Sequence, residues 1–277
     1  TTKKLASMVR AAKRSRLMRL CLAPGGRLSK LFGTSLTPMC GRYAASADAE
    51  LLDEIFVIDE VDGPLPPARY NIAPTDPVVA VVERVRKDEP EKVTRKLVPL
   101  RWGLVPSWSK DAKGAARMIN ARFETVAEKP AFRKALAARR CLLPADGYYE
   151  WYASAADAEL PASRRPPKQP FFIHPTDGSL LAMAGLYEFW KNPAGEWLAT
   201  CTIITTTAAD AVGHIHDRMP MTVAADHWDA WLDPMLTEGA LELLQAPGAA
   251  LEAYAVSRLV STVGNDGPEL IEPLPES

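Results

Sequence analysis

Four short stretches hold residues that could do chemistry. Gly147-Tyr148-Tyr149-Glu150-Trp151 sets one carboxylate among aromatic side chains. Desolvation there would raise its pKa toward the range in which a carboxyl can give and take protons near neutral pH. Ile119-Asn120-Ala121-Arg122-Phe123-Glu124 places Asn120, Arg122 and Glu124 at alternate positions, which on a strand share one face. Gly213–Pro220 brings His214 and His216 beside Asp217 and Arg218. A His-x-His on a strand could ligate a metal, but no third ligand cluster accompanies it, so neither metal nor cofactor is expected. Cys40 follows Met39 and precedes Gly41-Arg42-Tyr43. Cys21, Cys40, Cys141 and Cys201 form no Cys-x-x-Cys pair, which leaves zinc ribbons and thioredoxin-type motifs unsupported and points to free thiols in a reducing, cytosolic setting. By residue type alone, Glu150 could equally be a surface strand acid and Asn120 a turn or capping residue.

The elements that must position these residues are mostly short strands. Strands are expected over 78–85, 93–100, 141–143, 147–152, 171–174, 180–188 and 197–206, with a last one near Val256 and Val260. A helix over 48–58 carries Leu51, Leu52, Ile55 and Phe56 behind an Asp48 cap. Further helices are expected over 130–140, 208–212, 226–232 and 237–245. Residues 63–77 are proline-rich and read as loop, 144–147 as a turn, and 153–170 as a loop poor in packed structure. The pattern is that of an α+β domain with a mostly antiparallel sheet. No internal repeat, P-loop, Gly-x-Gly-x-x-Gly, His-Glu-x-x-His or Gly-x-Ser-x-Gly motif occurs.

With 47% hydrophobic and 24% charged residues, the chain has an ordinary globular composition, and no apolar run is long enough to span a bilayer. The net charge of −1 hides an asymmetry. Residues 1–39 hold nine Lys/Arg and no acid, leaving 24 basic against 34 acidic residues over 40–277, a net of −10. Residues 1–39 are therefore expected to be a basic extension outside the working domain: disordered, removed or not translated. It has the composition of a transit peptide, and Met39-Cys40 reads like a fresh start.

Six motifs occur in a telling order: Met39-Cys40-Gly41-Arg42-Tyr43, Arg69-Tyr70-Asn71-Ile72-Ala73-Pro74, Arg101–Trp108, Ile119–Glu124, Cys141–Trp151 and Ile215–Pro220. Together they resemble the SRAP family, the SOS-response-associated peptidases that act as abasic-site processing proteins. The resemblance runs from Cys40 to about Pro273 and implies one domain with a curved, barrel-like antiparallel sheet. It also implies single-stranded DNA binding and covalent capture of abasic sites by an N-terminal cysteine, with lyase-like and self-cleaving peptidase activity. By this resemblance Cys40 supplies amine and thiol, Glu150 moves protons, His216 assists opening of the sugar, and Asn120 positions Cys40 or the sugar. Arg42 and Arg122 would hold flanking phosphates and Trp108 would wedge against bases. Arg218, Asn71 and Pro74 join the DNA-binding set, although Asn71, like Arg69, could equally close a loop. The expected partner is single-stranded DNA containing abasic sites, met as a monomer in the cytoplasm at the nucleoid, with no membrane. One departure matters: an internal Cys40 has no free amine, so translation would have to start at Met39 or the bond before Cys40 be cut. Two other classes remain open on sequence: a cysteine protease acting in trans through Cys40, His216 and Asn120, and a non-covalent reader of modified DNA.

Overall fold

The computed structural model describes residues 41–275 except 87, 90, 91 and 209–211. Cys40 and the basic extension lie outside the described residues. The chain runs β1 (Tyr43–Ala45), α1 (Ala49–Phe56), β2 (Glu60–Val61), β3 (Arg69–Ile72), β4 (Pro77–Val85), β5 (Val93–Trp102), β6 (Asn120–Arg122), α2 (Arg133–Ala138), β7 (Arg140–Ala145) and β8 (Gly147–Tyr152). It continues through α3 (Ala155–Glu159), β9 (Gln169–Pro175), β10 (Leu181–Lys191), β11 (Trp197–Thr207), β12 (Arg218–Pro220), α4 (Trp228–Leu232) and β13 (Leu251–Ala255). The expected α+β class with a barrel-like sheet holds.

Strands β7, β4, β5, β11 and β10 pair around a closed ring, because β11 also pairs in parallel with β5 through Thr200↔Arg101 and Cys201↔Trp102. Alternation then sorts the side chains. Val78, Ala80, Val82, Val98, Leu100, Trp102, Leu143, Met183 and Ile203 belong to one buried cluster fed by all five ring strands, the barrel interior. Their neighbours Val81, Leu97, Leu142, Ala184 and Ile204 face outward and are covered by Leu52 and Phe56 of α1, Leu136 of α2 and Trp231 of α4. A second sheet, β13-β9-β8-β1-β3, is antiparallel throughout. Its Tyr43, Ile72, Tyr148 and Ile173 join the barrel's interior cluster. Its other face, with Ala44, Tyr149 and Phe172, is covered by Val256, Val260 and Leu270 from the C-terminal turns.

Several elements depart from expectation. The proline-rich stretch contains β3, whose four residues pair with β1 between flanking turns too short to leave a periodic signal. The turn expected at 144–147 is a crossing point. Only Asp146 separates β7, which pairs in the barrel, from β8, which pairs in the second sheet. The Asp146 N–H donates to Ala44 O (2.9 Å), and its carboxylate accepts from Ser46 N (2.6 Å), so the crossing residue is fastened to β1 and the residue after it. Residues 153–170 include α3, closed by a Ser154–Asp157 capping box. The helix expected over 237–245 is reduced to a 3₁₀ turn at Glu242–Gln245, and the last strand is β13, earlier than Val256 and Val260. The Asp48 cap holds, accepting from Leu51 N at 2.9 Å. Of the helix expected at 208–212, residues 209–211 lie outside the described residues.

Candidate functional site

The site grows from β1 and β8. Tyr43 pairs with Tyr148 and Ala44 with Gly147, and the Tyr149 N–H donates to Arg42 O at 3.0 Å. Continued past the last of these contacts, the same antiparallel register would bring Gly41 level with Glu150. On β8 the even-numbered Tyr148, Glu150 and Tyr152 share a face. Tyr148 and Tyr152 both pack in the barrel cluster, so Glu150, only 4% exposed, lies on the side of β8 that faces the barrel. Gly147 is required for this approach: a Cβ there would stand 2.5 Å from both Ile173 O and the Phe172 ring.

The barrel supplies the other residues. Strand β6 lies parallel to β11, with Asn120 opposite Ile203 and Arg122 opposite Thr205. Trp102, fully buried, donates its indole N–H to Ile119 O (3.0 Å) and sets its ring edge-on to Tyr43, 5.1 Å between centroids. A single side chain thereby ties the strand that leads to Gly41 to the strand that carries Asn120. Arg122 is exposed. Glu124 does not share the strand face with them. Strand β6 ends at Arg122, and the Glu124 carboxylate turns to Arg218, which donates to both its oxygens at 2.5 and 3.1 Å. Burial would raise the Glu124 carboxyl, but the Arg218 hydrogen bonds and charge outweigh it and hold the group below its ordinary value.

His216 stands just before β12. Its Nδ1 accepts the Arg218 backbone N–H at 3.1 Å. A nitrogen that accepts is unprotonated, so the neutral ring carries its proton on Nε2. Asp217 also lies 3.1 Å from Nδ1 but is 84% exposed. His214 points elsewhere, exposed and edge-on to Tyr152. Among the described residues, no group of three or more His, Cys, Asp or Glu is placed to hold a metal ion. Cys141 and Cys201 are fully buried, and desolvation pushes both thiols up, away from the reactive thiolate.

Two residues expected on a DNA face are buried and hydrogen-bonded within the protein. Arg218 is 8% exposed and, besides Glu124, its guanidinium donates to Thr205 O at 2.6 Å. Asn71 is fully buried. Its Oδ1 accepts from Arg42 Nη1 (2.8 Å), and its Nδ2 donates to Val260 O (3.2 Å), Thr262 O (3.1 Å) and Asn265 O (2.8 Å). Pro74 is half-buried, on a turn whose next residue, Thr75, has φ +75°. Arg42 is part-buried and stands over the Trp151 ring at 5.8 Å. Desolvation lowers its pKa, opposed by Asp76 and Tyr149.

Trp108 is the opposite case. It is 66% exposed at the apex of a pinned loop. Trp190 donates to Ser109 O (2.7 Å), Thr200 Oγ1 accepts from Val105 N (3.0 Å), and Leu104 N donates to Met118 O (3.1 Å). Gly103, at φ +123°, lets the Ala115 carbonyl come within 2.7 Å of where a Cβ would sit. An open cleft lies along this loop, lined by Val105, Trp108, Lys110, Lys113, Arg117 and Met118. Sequence reading missed the three cations, which show no motif, and the 258–266 turn, whose contribution is mostly backbone carbonyls.

The model of the family described as SOS response associated peptidase (SRAP) matches residues 39–263. This chain belongs to the SRAP family. It is 40% identical over 239 residues to abasic site processing protein YoqW of Bacillus subtilis, covering 84% of this chain and 99% of that protein. It is 33% identical over 274 residues to abasic site processing protein HMCES of Gallus gallus, covering 85% of this chain and 78% of that protein. A solved structure from Bordetella bronchiseptica shares the fold with a TM-score of 0.61 at 26% identity, covering 79% of this chain and all of that one. One from Bacteroides thetaiotaomicron reaches a TM-score of 0.69 at 23% identity over 85% of this chain.

Proposed function

We propose that this SRAP protein captures abasic sites in single-stranded DNA covalently, through an N-terminal Cys40. The observation that carries the reading is the β1–β8 register, in which Tyr43 faces Tyr148 and Arg42 O accepts from Tyr149 N, so that the chain leading back to Cys40 runs along β8 toward the buried Glu150. The names of the relatives, abasic site processing proteins, support the substrate.

An abasic site in its ring-opened form carries an aldehyde. The Cys40 amine adds to it, the carbinolamine loses one water to give an imine, and the thiol adds across the C=N bond. A C–S bond forms at the carbon of the protonated imine, whose nitrogen keeps its hydrogen, the thiol proton leaves to a base, and a five-membered thiazolidine results with no net redox change. An α-amine suits this step: with a pKa of about 7.8 it is roughly 15% neutral at pH 7, a few hundredfold more than a lysine. Glu150 gives its proton to the departing hydroxyl and takes one back from the thiol. His216 donates from Nε2 to the sugar oxygen, and Asn120 holds the reacting groups together. Arg42 and Arg122 take the flanking phosphates. Trp108, held out on a rigid loop among Lys110, Lys113 and Arg117, stacks on a base and stands in the way of an intact duplex. Local cations of this kind are needed because the acidic body repels DNA in bulk.

When residues 1–39 are present, the Cys40 amine is locked in a peptide bond. Translation from Met39 followed by methionine removal frees it. So does self-cleavage, in which the Cys40 thiol attacks the Met39 carbonyl, the amine leaves, and water hydrolyses the thioester. The test is intact-mass analysis after denaturation of a mixture with an oligonucleotide bearing one abasic site. The expected species is chain plus oligonucleotide less one water, lost in Cys40→Ser and with undamaged DNA. No such species from a chain starting at Cys40 overturns the reading.

A further inference from the structure

Arg42 is held by one end only. Each of the two Nη1 hydrogens has an acceptor, Asn71 Oδ1 and Val260 O, both at 2.8 Å. The guanidinium carbon stands over the Trp151 ring, 5.8 Å from its centroid, and the Trp151 indole N–H donates to Ser261 Oγ at 3.0 Å. No hydrogen bond runs from Nε or Nη2 to any described residue. Those two nitrogens form the side-on fork that matches a phosphate or carboxylate with two parallel hydrogen bonds.

The anchor is built from the far end of the chain. Val260, Ser261, Thr262 and Asn265 lie on one turn, closed on itself by Asn265 Nδ2 donating to Leu259 O (2.8 Å). Asp266, at its end, accepts from Arg69 Nε (2.9 Å) and Tyr70 N (2.6 Å), which ties the turn to β3. Asn71 sits at the centre, fully buried, with its amide shared between Arg42 and three carbonyls of the turn. With no surface exposed, the amide cannot touch a ligand itself. Its effect outward passes through Arg42, two residues from Cys40.

We infer that Asn71 is a positioning residue: with the 258–266 turn it anchors Arg42 through Nη1 and presents the Nε/Nη2 edge as a pre-set fork for one DNA phosphate. This rests on the DNA reading above and adds to it which edge of Arg42 binds and what fixes it. The fork is pre-ordered, so the entropy of holding a long side chain is met on folding rather than on binding.

The test is equilibrium binding by the full chain of a labelled, undamaged single-stranded oligonucleotide, followed by anisotropy over a salt series. Undamaged DNA keeps the readout independent of covalent capture. Asn71→Ser is expected to weaken binding about tenfold, the scale of a hydrogen bond to a charged group, with the salt slope unchanged because no charge is lost. Arg42→Ala should weaken binding and also reduce the slope by about 0.7, one phosphate on a single strand. The double variant should match Arg42→Ala within about twofold, because Asn71 acts through Arg42. A folded Asn71→Ser that binds like the wild type, or losses that multiply in the double variant, overturns the assignment. Should Asn71→Ser melt below the assay temperature, Asn265→Ala loosens the same turn and is held to the same pattern. Wild-type binding of undamaged DNA together with no adduct on abasic DNA would count against covalent capture alone, with Asn71 judged by the variants; wild type that does not bind undamaged DNA overturns the Asn71 assignment.

Discussion

Replacing Glu150 with glutamine is expected to slow adduct formation by about two orders of magnitude or more, the range for losing a positioned proton carrier. The substitution keeps shape and hydrogen-bonding atoms but removes the ability to cycle a proton. Each capture needs that cycle: a proton out to the leaving hydroxyl, then one back from the thiol. Water cannot substitute readily, because Glu150 is 4% exposed on the barrel-facing side of β8. The measurement is the single-turnover rate at saturating abasic DNA, with non-covalent binding of undamaged DNA as a control that should barely change. A rate within threefold of the wild type would remove Glu150 from the chemistry.

The second large effect is on stability. Arg95 is 3% exposed and Glu83 4%. Arg95 donates to Glu83 Oε1 through Nε (3.0 Å) and Nη2 (2.7 Å), to Asp229 Oδ1 (2.5 Å), and through Nη1 to Phe56 O (3.0 Å). One guanidinium thus joins β4, β5, the end of α1 and α4. Arg95→Ala removes both guanidinium hydrogen bonds to the Glu83 carboxylate, and breaking a buried pair of this kind costs about 3–5 kcal/mol. For a domain of this size that lowers the melting temperature by roughly 10 °C or more. Arg95→Met combined with Glu83→Leu should recover much of the loss, since burying two apolar side chains avoids both desolvation costs. Thermal denaturation checks both, and a melting temperature for Arg95→Ala within 2 °C of the wild type would contradict this reading of the buried pair.

The elements legible in the sequence are those whose periodicity is local. Strands β4, β5, β10 and β11 are long enough to show it, and α1 announces itself by Asp48 and the spacing of Leu52 and Phe56. The barrel closure is not local. It depends on Arg101 and Trp102 pairing with Thr200 and Cys201, about a hundred residues on, and no short-range signal marks it. Nor does residue type show that β7 and β8, one residue apart, belong to different sheets. The same limit applies at the site. Arginine and asparagine suit a DNA surface and a buried bracket equally well, and which one they serve depends on partners that folding supplies. Arg218 meets Glu124 and Asn71 meets the carbonyls of 260–265, so both turn inward. The exposure of Trp108 is likewise set by distant partners, the loop bonds from Trp190 and Thr200 that leave its ring outside.

The most direct test of covalent capture by a free Cys40 compares two forms of the chain, one beginning at Cys40 and one retaining residues 1–39. Each is incubated with single-stranded DNA carrying one abasic site, denatured and weighed intact. The predicted result is a Cys40 adduct, less one water, from the short form, and from the long form only in molecules that have lost residues 1–39. An adduct on the long form with its leader still attached, or none from the short form, would contradict thiazolidine capture.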